Sequence, residues 1–584
     1  MQLIQASPSK ATIRVRKQLV EAILFERLLP YSEQFIDNQF CYTIQGMKGS
    51  YCCSGRRSAF GRIRIQPSSV VMTMDNNRKR EVSIKDLIEE LNQYHFNSET
   101  LLAELEDTIF LTEWNELNLT QPPSRRELSL EELESAIVEG HPYHPCFKSR
   151  TGFTIQDHYS YGPEANQPFS IVWIAVKRTE VSYSFPKEEQ SFWQNELGTT
   201  VWKDLVLELC QCGGQLDEYI LFPVHPWQWQ QIKEHITEQL ESRDILLLGE
   251  FGDLYTSTQS VRTLINQTTQ GRSSLKLAMN LVHTSSRRTL APQSVCAAPA
   301  ISAWLKAVVS SDDFLVNDKR LVILAEHAGM VYEPKDPIKA SKIEGQLAAI
   351  WREDIHGYLR ETEEAIPFNA LMLIEKDGQP FVWKWIEAYG VSQWVEQLID
   401  VAVIPVWHLL LKHGIALEAH GQNMILIHEN GWPKRVALRD FHESVEYVES
   451  YLDSKEFLPD FKNTHPSYAN ASENQFYWMS SLEALRELVM DTLFVFNIAE
   501  ISYVLDEAGI YKEKDFWQHV NEALATHLKN FPSLKSRAKL LNYTNESIYV
   551  ESLLTKKLNK DNDNEEFRHL VSNSLIKGQK EKGG

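Results

Sequence analysis

Residues 414–441, GIALEAHGQNMILIHENGWPKRVALRDF, decide how this chain is read. They scan as three short strands joined by two turns. Alternation along the first strand puts Glu418, His420 and Gln422 on one face. Asn423 follows at the turn, and Asp440 stands at the end of the third strand. An acid, an amide and a second acid spaced this way can hold Mg2+ and its phosphates without a glycine-rich loop. Mg2+ takes hard oxygen ligands, usually a few carboxylates plus the phosphates of a substrate. The plain alternative is a polar hairpin with solvated side chains.

The preceding stretch, VEQLIDVAVIPVWHLLLKH at 395–413, is apolar nearly all round and predicts a buried helix. Pro405 is expected to kink it, and Gly414 stands where a C-terminal cap belongs. A buried helix, a tight turn and a polar strand would set the acids at the end of a core, facing a cleft. Protein kinases and aminoglycoside phosphotransferases are similar in this architecture alone. The HRD and DFG triplets, GxGxxG and GxxxxGK[ST] are all missing from the sequence.

With 584 residues the chain exceeds a single core, and 43% hydrophobic and 10% aromatic residues suffice for several. A net charge of -20 argues against nucleic acid, which needs a basic footprint, and would weakly favour a cationic co-substrate. The first 29 residues lack a continuous apolar segment and cleavage site, so no signal peptide is expected. No run approaches ~20 uninterrupted apolar residues, so no membrane partner is expected either. The seven cysteines are scattered without a CxxC pair. Reduced thiols in a cytoplasmic protein are the expectation.

Helices are predicted at 15–29, 84–94 and 98–109, with strands between 41 and 65. A proline break at 121–124 precedes an acidic helix at 129–139 that opens Ser-Leu-Glu-Glu. Strand-like runs follow at 170–176, 218–224 and 275–282, and the last ~200 residues are helical around the 414–441 segment. The polar tail from Lys556 is expected to fray at its end. A mixed α+β fold in three lobes is the expected class.

Three further clusters carry chemistry. In GHPYHPCFKSRTGF at 140–153, two His-Pro pairs hold the backbone extended, so that His141, His144, Lys148 and Arg150 project from a stiff loop suited to an anion. Ser260, Arg262 and Thr263, followed by Lys276, Thr284 and Arg288, alternate hydroxyls with cations. Were 276–283 one strand, Lys276, Thr284 and Arg288 would share a face and Arg287 would turn away. Such a wall can grip a triphosphate through charge-assisted hydrogen bonds. In LFPVHPWQWQQI at 221–232 the tryptophans are expected to pack, and His225 and Gln228 serve structure more readily than chemistry.

Taken in order, GHPxHPxxKxRxGF, FPVHPWQW, SxRT, KLxxNxxxTSxxRTL and ALExHGQNMIL with the later RDF resemble the NRPS-independent siderophore synthetases, typified by the aerobactin synthetases. The likeness covers nearly the whole chain and is greatest to petrobactin-type members. It implies a thumb (1–160), triphosphate-binding fingers (161–385) and a kinase-like palm (386–584) that binds MgATP and substrate. It also implies an amide synthetase that adenylates a carboxylate, citrate or a citryl monoamide, and condenses it with an amine, a polyamine by whole-chain likeness. Carried over residue by residue, Ser260, Arg262, Thr263, Lys276, Thr284, Arg288 and Gln422 would bind ATP, and Glu418, Asn423 and Asp440 would hold Mg2+. His144, Thr284, Arg288 and His420 would contact substrate, with Arg288, His420 and Lys148 at the reacting groups and His420 a candidate base. A homodimer is expected. Two rivals remain: a kinase-like phosphotransferase, and a non-catalytic nucleotide-binding scaffold.

Overall fold

Apolar runs in the middle of the chain become an antiparallel sheet. The computed structural model describes residues 8–576 apart from 48, 75–78, 95, 97, 187, 285, 318–319 and 560–566. Phe169–Lys177, whose central residues are buried on both faces, pairs with Tyr219–Val224 on one side and Ile245–Ser257 on the other. The sheet continues through Thr263–Asn266, Ser274–Leu277, Ala348–Arg352, Glu326–Tyr332 and Val181–Ser184, eight strands in all. The helix Pro292–Ser310 packs on Glu326–Tyr332. Gly329 permits that approach, since a Cβ there would strike the Val295 carbonyl oxygen.

A second sheet carries the 414–441 segment. Met424–Glu429 lies between Trp432–Leu438 and Glu364–Pro367, both antiparallel to it, and Leu321–Ile323 joins parallel to Trp432–Leu438. The predicted buried helix, Val391–His408, packs against Trp432–Leu438. Pro405 lies within it; the helix then widens into a π-helical turn, Leu409–His413, and ends at Gly414 with φ +75°. Without a Cβ, glycine adopts this left-handed turn freely.

The first of the three expected strands, Ile415–Leu417, leaves that sheet and pairs with Val445–Tyr447. Residues 418–423 form the connecting turn rather than strand, so alternation does not place Glu418, His420 and Gln422. The expected strand over 275–282 is likewise interrupted. Ser274–Leu277 belongs to the large sheet, whereas Val282–His283 pairs with Ser286–Arg287 in a separate ladder. Thr284 between them has φ 60°. A single strand phase therefore cannot relate Lys276 to Arg288.

The two ends of the chain share one core: Leu19 and Phe25 belong to the same apolar cluster as Phe494, Val550 and Val571. The strands of the large sheet build a second core between Ile171 and Trp351. Buried Glu26 locks the ends together by accepting from the Tyr143 hydroxyl (2.6 Å) and from the backbone of Leu554 and Thr555. Before its end the polar tail is ordered into the fold: Arg568–Ser572 pairs with Ser547–Glu551 and buries Val571. The final residues, 577–584, lie outside the described residues. Ser129 and Glu132 form the capping box expected for the acidic helix. Val391–His413 and Leu482–Glu507 are long and apolar enough to cross a membrane by length and composition alone, but 83% and 67% of their most apolar stretches are buried inside the protein. They are core helices of this fold.

Gly414 joins the core helix to the site loop, and a Cβ there would meet the Tyr451 carbonyl oxygen at positive φ. Gly414→Ala is expected to cost at least about 2 kcal/mol, combining the left-handed penalty with the clash. A lowered urea midpoint measures it.

Candidate active site

The core shared by the chain ends and the site loop border a cavity of about 1210 Å3, which Ile137, Phe147 and Phe496 line from the core side. Its basic wall is built by the 140–153 motif in a way the sequence did not announce. Each His-Pro pair is a side-chain cap. His141 Nδ1 accepts from the amides of Tyr143 (3.1 Å) and His144 (2.9 Å), and His144 Nδ1 accepts from Cys146 (3.1 Å). His225 Nδ1 caps Trp227 identically, with its ring buried against Tyr161 and Phe169. Lys148 and Arg150 are buried rather than projecting, and both pair with Glu164. Burial opposes the Lys148 charge and Glu164 restores part of it. Burial would raise Glu164, but Arg150 and Lys148 hold it well below the carboxylate range.

A second group lies beside the cavity, between the two sheets. Ser274 stands opposite Arg352 and Lys276 opposite Ile350, so Lys276 and Arg352 emerge on one face of the large sheet. Both reach Asp440 Oδ1, at 3.2 and 2.8 Å. Burial alone would raise the Asp440 carboxyl; Lys276 and Arg352 outweigh it and hold it well below its ordinary value. Glu326 fixes the chain after Asp440 by accepting from the amides of Phe441 (3.1 Å) and His442 (3.0 Å) and meeting His442 Nδ1 at 2.8 Å. Arg262 is buried close by and bonds the Thr289 carbonyl oxygen. Arg288 bonds the His283 carbonyl at 3.1 Å, and burial together with Arg262 pushes it down to about 9, still cationic at neutral pH.

Several donors here are buried without a partner: Arg262 Nε, Arg288 Nε, Arg352 Nε and the Thr263 hydroxyl. Buried donors left unpaired are costly, and their clustering suits an anionic ligand. Val261, Thr284 and Asp440 all have positive φ (69°, 60° and 67°), which is strained for such residues. Each such position costs of order 1–3 kcal/mol and is typical of functional sites.

Of the residues expected from sequence, His144, Lys148, Thr284, Arg288, Glu418, His420 and Gln422 line the cavity. Lys276, Arg262 and Asp440 form the adjoining ion cluster, and Ser260 closes the tight turn before Thr263 by accepting from its amide at 3.2 Å. Asn423 donates from Nδ2 to the Glu418 carbonyl (3.1 Å), and the Ser444 hydroxyl donates to Glu418 Oε2 (2.5 Å). His420 Nδ1 accepts from the amides of Gln422 and Asn423, which leaves the proton of a neutral ring on Nε2. His420 Nε2 lies 3.6 Å from Glu418 Oε1. Arg287 also borders the cavity, but it is exposed and bonded to Asn280 Oδ1. Glu326, Arg352 and His442 escaped the sequence reading, since Arg352 meets Asp440 and Glu326 meets His442 only where distant segments of the chain come together.

Glu326, Asp440 and His442 bring one ligand atom each within 4.8 Å of one another. This group shares Asp440 with the acids expected for Mg2+ and draws its other members from elsewhere. The carboxylates of Asp440, Glu326 and Glu418 and the amide of Asn423 are hard donors that suit Mg2+. Asp440→Asn would leave two buried cations without their anion and is expected to destabilise by about 3 kcal/mol. Thermal unfolding with and without pyrophosphate checks this: an anion in the donor cluster should recover part of the loss.

A model described as the IucA / IucC family matches residues 129–373, and one described as ferric iron reductase FhuF-like transporter matches 392–566. The citryl-spermidine/3,4-dihydroxybenzoyl-citryl-spermidine:spermidine ligase of Bacillus anthracis is 36% identical, across 97% of this chain and 93% of that protein. The crystal structure of the petrobactin biosynthesis protein AsbB from Bacillus anthracis str. Sterne superposes with TM-score 0.90 over 97% of this chain and 95% of that one, at 36% identity. The ATP-bound aerobactin synthetase IucA of Klebsiella pneumoniae shares the fold at TM-score 0.75 and 17% identity, covering 98% of this chain and all of the other. A mixed α and β fold common to these structures, and identity of this extent along nearly the entire sequence, place the chain in the IucA/IucC family of siderophore synthetases.

Proposed function

We propose that the protein is an ATP-dependent carboxylate–amine ligase that adenylates citrate or a citryl monoamide and condenses it with an amine of the polyamine class. The observation that carries this reading is the set of buried, unpartnered donors on Arg262, Thr263 and Arg288 beside Asp440, next to a cavity with room for nucleotide and acid. The ligase name of the Bacillus anthracis relative supports the substrates, and the ATP-bound Klebsiella structure supports the nucleotide.

In this reading a carboxylate oxygen attacks the α-phosphorus of ATP. The bond from that phosphorus to the β-phosphate oxygen breaks, and pyrophosphate leaves. A neutral amine then attacks the acyl carbon, the bond to the AMP oxygen breaks, and AMP departs with the electron pair while the amine proton passes to solvent or phosphate. Two anions must meet in the first step, so cations have to offset and align both. Ser260, Arg262, Thr263, Lys276 and Arg288 would hold the phosphates, with Gln422 and Thr284 beside them. His144 and Lys148 would close on the acid, and His420 would donate to it from Nε2. Glu418, Asn423 and Asp440 would hold Mg2+, which when bound neutralises phosphate charge. The thumb, fingers and palm at 1–160, 161–385 and 386–584, the kinase-like palm, the homodimer and the cytoplasmic location belong to the same proposal.

The hairpin ending at Asp440 beside a buried helix also favours a second reading, phosphoryl transfer. With MgATP, citrate and spermidine, ligation is expected to yield AMP and pyrophosphate. ADP as the sole nucleotide product, read by chromatography, would replace the ligase with a phosphotransferase.

Arg288→Ala is expected to lower citrate-dependent pyrophosphate exchange by about 10²-fold or more, as loss of a donor to developing charge does elsewhere. Arg287→Ala, whose guanidinium is engaged by Asn280, should change exchange by less than about threefold. The reverse order would exchange the two roles.

A further inference from the structure

The cavity holds two acids, Asp491 and Glu551, that the proposed adenylation leaves unused. Asp491 lines it and is only 9% exposed. Its Oδ2 accepts from the Glu551 amide at 2.8 Å, while its Oδ1 is buried without a partner. Burial raises the Asp491 carboxyl well above its ordinary value, and Glu551, Glu487 and Glu446 add to the rise. Glu487 pairs with Arg568, and the Glu551 side chain meets Lys556, which also lines the cavity. No cation reaches Asp491 among the described residues.

Asp491 lies in a π-helical stretch, Met490–Ile498. Such widenings occur frequently at functional sites. This one is fastened to the site loop: the Thr492 hydroxyl accepts from the Ala419 amide at 3.1 Å, and Asn497 Nδ2 donates to the Ala419 carbonyl at 2.9 Å. Asp491 is thereby held at a fixed offset from Glu418 and His420, whereas the cations that suit the acid and phosphates, Lys148 and Arg288, line the same cavity.

We propose that Asp491, with Glu551 beside it, is the subsite for the non-reacting ammonium of a di- or polyamine substrate. This rests on the ligase reading above. The buried oxygen gains the charged donor it lacks, and the far amine of the same molecule is delivered toward the acyl group. A chain with one amine and an apolar tail would leave Asp491 unpaired and be disfavoured.

The test compares putrescine with n-pentylamine, which matches it in length but has a methyl in place of the second amine. Wild-type protein is expected to bind putrescine at least about tenfold more tightly by equilibrium dialysis, and Asp491→Asn should bring the two within about twofold. In turnover the loss should fall on the KM for putrescine and not on pyrophosphate exchange. An unchanged preference in Asp491→Asn, or no preference in the wild type, overturns the subsite. If Asp491→Asn loses exchange through misfolding, Glu551→Gln is read instead, with about a threefold or greater loss of preference expected; unchanged preference there, or loss of exchange in both variants, also overturns it. Failure of the ligase reading is separable, because it would abolish wild-type pyrophosphate exchange with every acid while leaving diamine binding measurable.

Discussion

Everything at this site is arranged around one constraint: several cations buried together must be compensated without filling the space an anion would occupy. Asp440 meets that constraint. It takes Lys276 and Arg352 from the large sheet on a single oxygen, while it stands on the smaller sheet's last strand extension. An uncompensated charge in such surroundings costs several kcal/mol, so the two sheets are tied in position by electrostatic necessity as much as by packing. Glu326 completes the junction by fixing the two residues after Asp440 through their amides.

Compensation is deliberately incomplete on the cavity side. Arg262, Arg288 and Thr263 keep unpartnered donors, and three residues nearby hold left-handed backbone angles. A fold can carry that cost only where the surroundings are rigid. Rigidity comes from the core shared by both ends of the chain and from the second core beneath the large sheet. Glu134 adds a three-way link: it accepts from Arg439 Nη2 (2.8 Å) and from Gln259 (3.2 Å), and thus ties an early helix to both sheets.

Legibility in the sequence followed the range of the interactions. The capping box at Ser129, the buried helix before Gly414, the glycine cap and the strands at 169–177 and 219–224 depend on neighbours a few residues away, and they were readable. The turn at 418–423 was not. Its residues alternate as a strand would, yet His420 Nδ1 accepts from the amides of Gln422 and Asn423 and closes a turn instead. The same side-chain capping explains why the His-Pro motifs, read as stiff projecting loops, carry buried residues. Family resemblance supplied most of the proposed site residues, but their hydrogen-bond and ion-pair partners had to come from geometry.

The sequence by itself determined the family, the mixed α and β elements and the residue types of the basic wall, because ordered motifs and local periodicity are one-dimensional properties. Only the tertiary structure decided that Asp440 answers to Lys276 and Arg352, that Glu326 and His442 join it, and that Asp491 faces the same cavity as Arg288. Lys276, Arg352 and Glu326 stand 88 to 164 residues before Asp440 in the chain, and a spacing in sequence has no bearing on which side of a sheet junction a charge must meet its counter-charge.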